Sequence, residues 1–132
     1  MATLQNWLAR LENSGLRKDF PLLTLGSGYA FRWNVPVHPE FGDFSSGVFE
    51  MVARATPGET DPVLATFTVQ AGAAANGIVP ISVSLNVNDQ SAIAAAGVPE
   101  YVKDLCAAVY YTPSGGGRDI CRAGLLPIAE GV

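Results

Sequence analysis

A histidine followed closely by carboxylates is the raw material of a metal hydrolase, and His38 has Glu40 and Asp43 nearby. It is the only histidine in the chain, so a three- or four-ligand centre would need donors from positions that no spacing marks. A polar loop accounts for the same residues. Ser45 and Ser46 lie close to His38 without nucleophile-elbow spacing. The run Gly115-Gly116-Gly117 leads into Arg118-Asp119 and a strand pattern, not into a Lys-Ser/Thr pair and a helix, so it reads as a hairpin tip and not as a phosphate cradle. Asp43, Asp61, Asn86, Asn88 and Asp89 could offer oxygens to calcium but lack EF-hand spacing, and turn and capping roles explain them. Cys106 and Cys121 are not in a CxxC pair and are too few for a zinc site, which leaves buried thiols or one structural disulfide. Tyr29, Phe31 and Trp33 could stack on sugar rings. Their strict alternation makes them core residues first. No catalytic residue, metal site or cofactor is expected.

Composition bounds the function in the same direction. Of 132 residues, 48% are apolar and only 15% charged, which predicts a folded chain of one domain. So few charges on a small surface imply that part of it is covered by a partner. The net charge of −4 leaves no basic face for phosphates, so nucleic acid is not an expected partner. No apolar run reaches the roughly 18–20 residues of a membrane span. No basic region followed by a long apolar stretch opens the chain, so synthesis in a cytoplasm is expected.

Any interface must be carried by elements with definite periods. Leu4, Trp7, Leu8 and Leu11 recur at helical spacing and predict an amphipathic helix over residues 3–15, with Thr3 as N-cap. Gly15 is placed to stop it in a left-handed turn, with Leu16 supplying the accompanying hydrophobic contact. Such a short helix must dock on something. From Phe20 the period becomes two, clearest at Tyr29, Phe31, Trp33, Val35 and Val37, with Pro36 marking a sheet edge. Residues 38–47 read as a loop, Val48–Arg54 and residues 63–69 as strands, and Val79, Ile81, Val83 and Leu85 as an alternating strand. Asn88 is the expected cap of a short helical turn over residues 89–96, closed by Gly97 and Pro99. A last hairpin pairs residues 101–111 with 118–128, which by parity sets Cys106 and Cys121 near each other on one face. The sum is a mainly β chain: an antiparallel β-sandwich or open barrel, Ig-like, with a short N-terminal α-helix. The expected division is an arm at residues 1–19 and a β-domain at 20–132.

From Leu23 onward, the stretches LTLGSGYAFRWNV, GDFSSGVFEMVAR, DPVLATFTV, GIVPISVSLNVNDQSAI, GVPEYVKDL and RDICRAGLLPI come in a telling order. This order resembles the small β-domain at the N-terminus of phage baseplate upper proteins and of related tail and head-fibre proteins. Asp43-Phe44-Ser45-Ser46-Gly47 has one residue more than that family's turn, residues 97–101 are longer than its Gly-x-Tyr, and the N-terminal helix lies outside its pattern.

The resemblance implies a non-enzymatic connector in a tailed-phage virion, made in the host cytoplasm. With no fibre sequence after Val132, a capsid decoration or cement subunit, or a tail adaptor, is expected. Its partners would be the major capsid protein or tail and baseplate proteins. Its own assembly would be a homo-oligomer, with a trimer favoured because trimers match the local symmetry of capsids and fibres. The expected partner-binding face is Leu4, Trp7, Leu8 and Leu11. The alternative is a carbohydrate- or receptor-binding module, which requires Tyr29, Trp33, Tyr110 or Tyr111 to stand exposed beside polar groups.

Overall fold

A computed structural model describes residues 4–58, 62–95 and 103–129. Its elements are α1 (Leu4–Asn13), β1 (Leu23–Thr24), β2 (Tyr29–Pro36), β3 (Val48–Arg54), β4 (Ala65–Ala71), β5 (Ile78–Leu85), a 3-10 turn (Val87–Gln90), α2 (Ser91–Ala95), β6 (Lys103–Thr112) and β7 (Asp119–Ala129). The strands form one seven-stranded, nearly closed, barrel-like sheet in the order β1-β7-β6-β3-β4-β5-β2. All neighbours are antiparallel except β1 and β7, which are parallel. The mainly β architecture with an N-terminal helix is the one the periodicities predict.

Alternation explains which side chains fill the barrel. On β5, Val79, Ile81, Val83 and Leu85 are buried while Ser82 and Ser84 are exposed, as the pleat requires of a strand with one wet face. β3 and β6 differ: Met51-Val52-Ala53 and Leu105–Tyr111 are buried without a break. Their inner row, Met51, Ala53, Leu105, Ala107 and Val109, joins the main core. Their outer row, Val52, Ala108 and Tyr110, is covered by α1 through Leu11, with Trp7, Leu16 and Ile120 alongside. A continuous apolar run here marks a strand covered on both faces.

α1 ends as its sequence predicts. Gly15 has φ +75, its amide donates to the Glu12 carbonyl at 3.2 Å, and the Leu16 amide donates to the Leu11 carbonyl at 2.9 Å. These two bonds, with the Leu11–Leu16 contact, make a Schellman stop, and only glycine adopts that φ without strain. The chain then runs parallel to β7: Lys18 and Phe20 donate to the carbonyls of Ala123 and Leu125, and Leu25 to that of Ala129. Residues 16–25 therefore cover the edge of β7, a pairing that no periodicity signals.

Several boundaries and contacts depart from expectation. β4 starts at Ala65, and Val63 is exposed. The residue before the 3-10 turn is Asn86, not Asn88, and its side chain makes no capping bond. Thr3, Gly97, Pro99 and Tyr101 lie outside the described residues. The two cysteines are not neighbours. Cys106 pairs with Leu125, whereas Cys121 is the extra residue of a bulge between Val109 opposite Arg122 and Tyr110 opposite Ile120. At roughly 3.3 Å per residue, the Leu125-to-Cys121 interval along β7 is about 13 Å, beyond the reach of a disulfide. Both thiols are free, Cys106 buried and Cys121 exposed.

Candidate functional site

The predicted helical stripe is divided between two surroundings. Leu11 is 5% exposed and packed on Val52, Ala108, Tyr110 and Ala123. Its place in a partner interface is thereby corrected, because its apolar surface is already removed from water within the chain. Trp7 and Leu8 are half-buried, and Leu4 is 41% exposed. The face left for another molecule is Leu4 with the outer sides of Trp7 and Leu8. Beneath the helix is a recess of about 40 Å³ lined by Trp7, Arg54, Pro57, Cys106, Ala108 and Ile120. It has room for a few waters and none for a substrate.

The residues that suggested chemistry organise a loop. His38 Nδ1 accepts the amides of Glu40 and Phe41, each at 3.0 Å. Its ring stacks on Phe41 with centroids 4.4 Å apart and meets Phe44 edge-on. Phe41, Phe44, Phe49 and Tyr111 continue the cluster at centroid distances of 4.8–5.5 Å. The 38–47 loop thus caps one end of the barrel with aromatic rings. Asp43 accepts the Ser45 amide at 3.0 Å, a turn bond that, with the Ser45 side chain, holds its carboxyl below the usual range. Among the described residues no three His, Cys, Asp or Glu side chains come together. Asp61 lies outside them. The Gly115–117 stretch is the turn between β6 and β7.

Two buried polar residues were missed by sequence reasoning. Arg122 points from β7 into the barrel and is 5% exposed. Its guanidinium lies 4.3, 5.3 and 4.8 Å from the ring centroids of Phe20, Phe31 and Trp33. Nε and Nη2 donate to the carbonyls of Lys18 and Asp19 at 3.2 and 2.6 Å. Burial lowers its pKa, against the raising influence of nearby groups. The side chain fills the seam between β7 and β2. The bulge at Cys121, which resets the parity of β7, is what turns it inward.

Asp19 braces the same seam. It accepts the Leu125 amide at 2.9 Å and pairs with Arg17, which also holds Glu12 at 2.6 Å. Burial works against its charge, but the Leu125 amide, Arg17 and Arg122 outweigh it and hold the carboxyl below its ordinary value. Gly124 makes the approach possible, since a Cβ there would come within 2.7 Å of Asp19 Oδ1.

Gln90, 3% exposed, clamps the other end of the barrel. Its side chain accepts the Gly26 amide at 3.0 Å and donates to the Ser27 carbonyl at 2.7 Å, fixing the turn from β1 to β2. A polar residue whose partners are more than sixty positions away leaves no local pattern to read.

Tyr29, Tyr110 and Tyr111 are buried and Trp33 is half-buried, so the aromatics named for sugar stacking do not present open faces. No helix among the described residues is long and apolar enough to cross a membrane. No protein-family model matches the chain, and no curated protein matches it.

Proposed function

We propose that this chain is a non-enzymatic structural protein of a tailed-phage virion, a capsid decoration or cement subunit or a tail adaptor. The observation that carries the reading is the way the stretches resembling baseplate upper protein domains fall on whole strand–turn units. LTLGSGYAFRWNV spans β1, its turn and β2; GDFSSGVFEMVAR spans a loop end and β3; GIVPISVSLNVNDQSAI spans β5 and the helical turns; RDICRAGLLPI lies on β7.

The use of the polar groups supports the same reading. His38, Gln90, Arg122 and Asp19 are engaged in holding loops and seam, and the apolar surface left on α1 suits attachment by burial. The partners would be capsid or tail proteins and further copies of the chain, in the three-fold sets the resemblance implies. A sugar-binding role is less well supported, because it needs the open aromatic faces that are buried here.

Mass spectrometry and imaging of purified particles test the proposal. The chain should be found in the particle at a stoichiometry set by capsid or tail symmetry. Its absence from complete particles would overturn the virion reading.

A further inference from the structure

We propose that His38 is a proton-operated latch: its neutral ring holds the 38–47 loop over one end of the barrel, and protonation at Nδ1 releases that loop. The latch is a property of the fold and does not depend on the virion reading.

Hydrogen bonding within the loop supplies the first observation. His38 Nδ1 accepts the amides of Glu40 and Phe41, each at 3.0 Å, so the ring is the neutral tautomer that carries its proton on Nε2. An imidazolium has a proton on both nitrogens and no lone pair to offer. Two amide N–H groups would then point at a third. A charged ring keeps its stacking on Phe41, but stacking gives those amides no acceptor.

Backbone strain supplies the second. Phe44 stands at φ 65, a left-handed conformation that a bulky aromatic residue adopts only where its surroundings hold it. Its carbonyl accepts the Tyr111 hydroxyl at 3.3 Å, its ring packs on Phe49 and Tyr111, and His38 meets it edge-on. Beside the ring, the loop is also closed by the backbone pair between His38 and Gly42, 2.9 Å in each direction. The closed loop therefore sets strain against a short series of bonds, two of which converge on one titratable atom. Release uncovers Phe41, Phe44 and Phe49, now half-buried, and Tyr111, now buried.

The charges at this end of the barrel do not hold the proton in the closed loop. On the loop itself Glu40 and Asp43 are exposed, and Asp43 is engaged with the Ser45 amide. On β6, Tyr111 has its hydroxyl donated to Phe44. On β3, Glu50 pairs with Arg118 of the β6–β7 turn at 3.6 Å, and Asp119 opens β7. β2 has no charged residue after Arg32, and the 72–77 turn, whose Gly77 carbonyl takes the Val37 amide, has none. Among the described residues none of these forms an ion pair with His38. The closed loop accepts only the neutral ring, so its hold is full at about pH 8 and is lost as pH falls toward about 5, the range in which a histidine gains its charge.

Amide exchange of the full chain, read by NMR with each rate divided by that of an unstructured peptide at the same pH, tests the latch. Protection of the Glu40 and Phe41 amides should fall about tenfold between pH 8 and pH 5, while that of Val83 in the core stays level. His38→Asn keeps a side-chain acceptor without a titrating ring and should leave the loop protected at both pH values, whereas His38→Ala should leave it unprotected at both. Ring nitrogen shifts should report the Nε2–H tautomer at pH 8. A wild-type loop equally protected at pH 8 and pH 5, a His38→Asn loop that opens with acid as the wild type does, or a ring protonated on Nδ1 at pH 8 would overturn the proposal.

Discussion

Arg122 and Asp19 show how single side chains close this barrel. A guanidinium removed from water needs compensation, and Arg122 finds it in two carbonyls and three ring faces, an arrangement that a lysine's compact charge cannot reproduce. Asp19 links folding to pH. Its folded pKa lies below the ordinary 3.8, so its stabilisation is present above that value and is lost as pH falls through the folded value. Urea unfolding should find Asp19→Asn less stable than wild type at pH 7, by up to about 1 kcal/mol. The figure is discounted for a carboxyl that is 47% exposed. The gap should close as the pH is lowered below 3.8. The thiols give a second test. Burial, with Asp104 nearby, pushes the Cys106 thiol up to about 11 from 9.0, which reduces its thiolate at neutral pH by about a hundredfold. Iodoacetamide should therefore label Cys106 far more slowly in the native protein than in the urea-unfolded chain, and non-reducing peptide mapping should find no Cys106–Cys121 bridge.

At the scale of elements, α1 both belongs to the fold and presents a surface. Leu11→Ala removes a side chain buried against Val52, Ala108, Tyr110 and Ala123 and should cost about 2–4 kcal/mol. Leu4→Ala, at an exposed position, should change stability by less than about 0.5 kcal/mol. Trp7→Ala should fall between them, leaving the β-domain folded and, on the proposed virion role, weakening attachment to particles. Thermal melts paired with binding to particles stripped of the protein would separate the two roles: Leu11 should move the melt, and Leu4 and Trp7 the binding. The helix was legible because its stripe and its Gly15 stop are local signals. The docking of residues 16–25 along β7 was not, because a parallel edge pairing depends on a strand about a hundred residues later.

For the whole molecule, charge and shape act together. The net charge of −4 and isoelectric point near 4.7 mean that repulsion between copies weakens as pH falls toward that value. Light scattering at fixed concentration should show association rising from pH 8 toward about pH 5 and falling again with added Asp or Glu on exposed loops. An unchanged scattering mass over that range would show that charge does not set the association.

The amino-acid sequence by itself determined the elements: a helix of period 3.6 with a glycine stop, strands of period two, Pro36 at an edge, and a hairpin closed by Gly115–117. Each is a short-range consequence of sterics and of one wet face. The tertiary structure decided what those elements enclose. A bulge at Cys121 shifted the register of β7 by one residue, which turned Arg122 inward to the rings of Phe20, Phe31 and Trp33. Burial of Leu11 and the clamp at Gln90 came from the same source. Side-chain direction alternates at every residue of a strand, so one inserted residue redistributes inside and outside along all that follows. That choice is made by long-range pairing, which no local pattern contains.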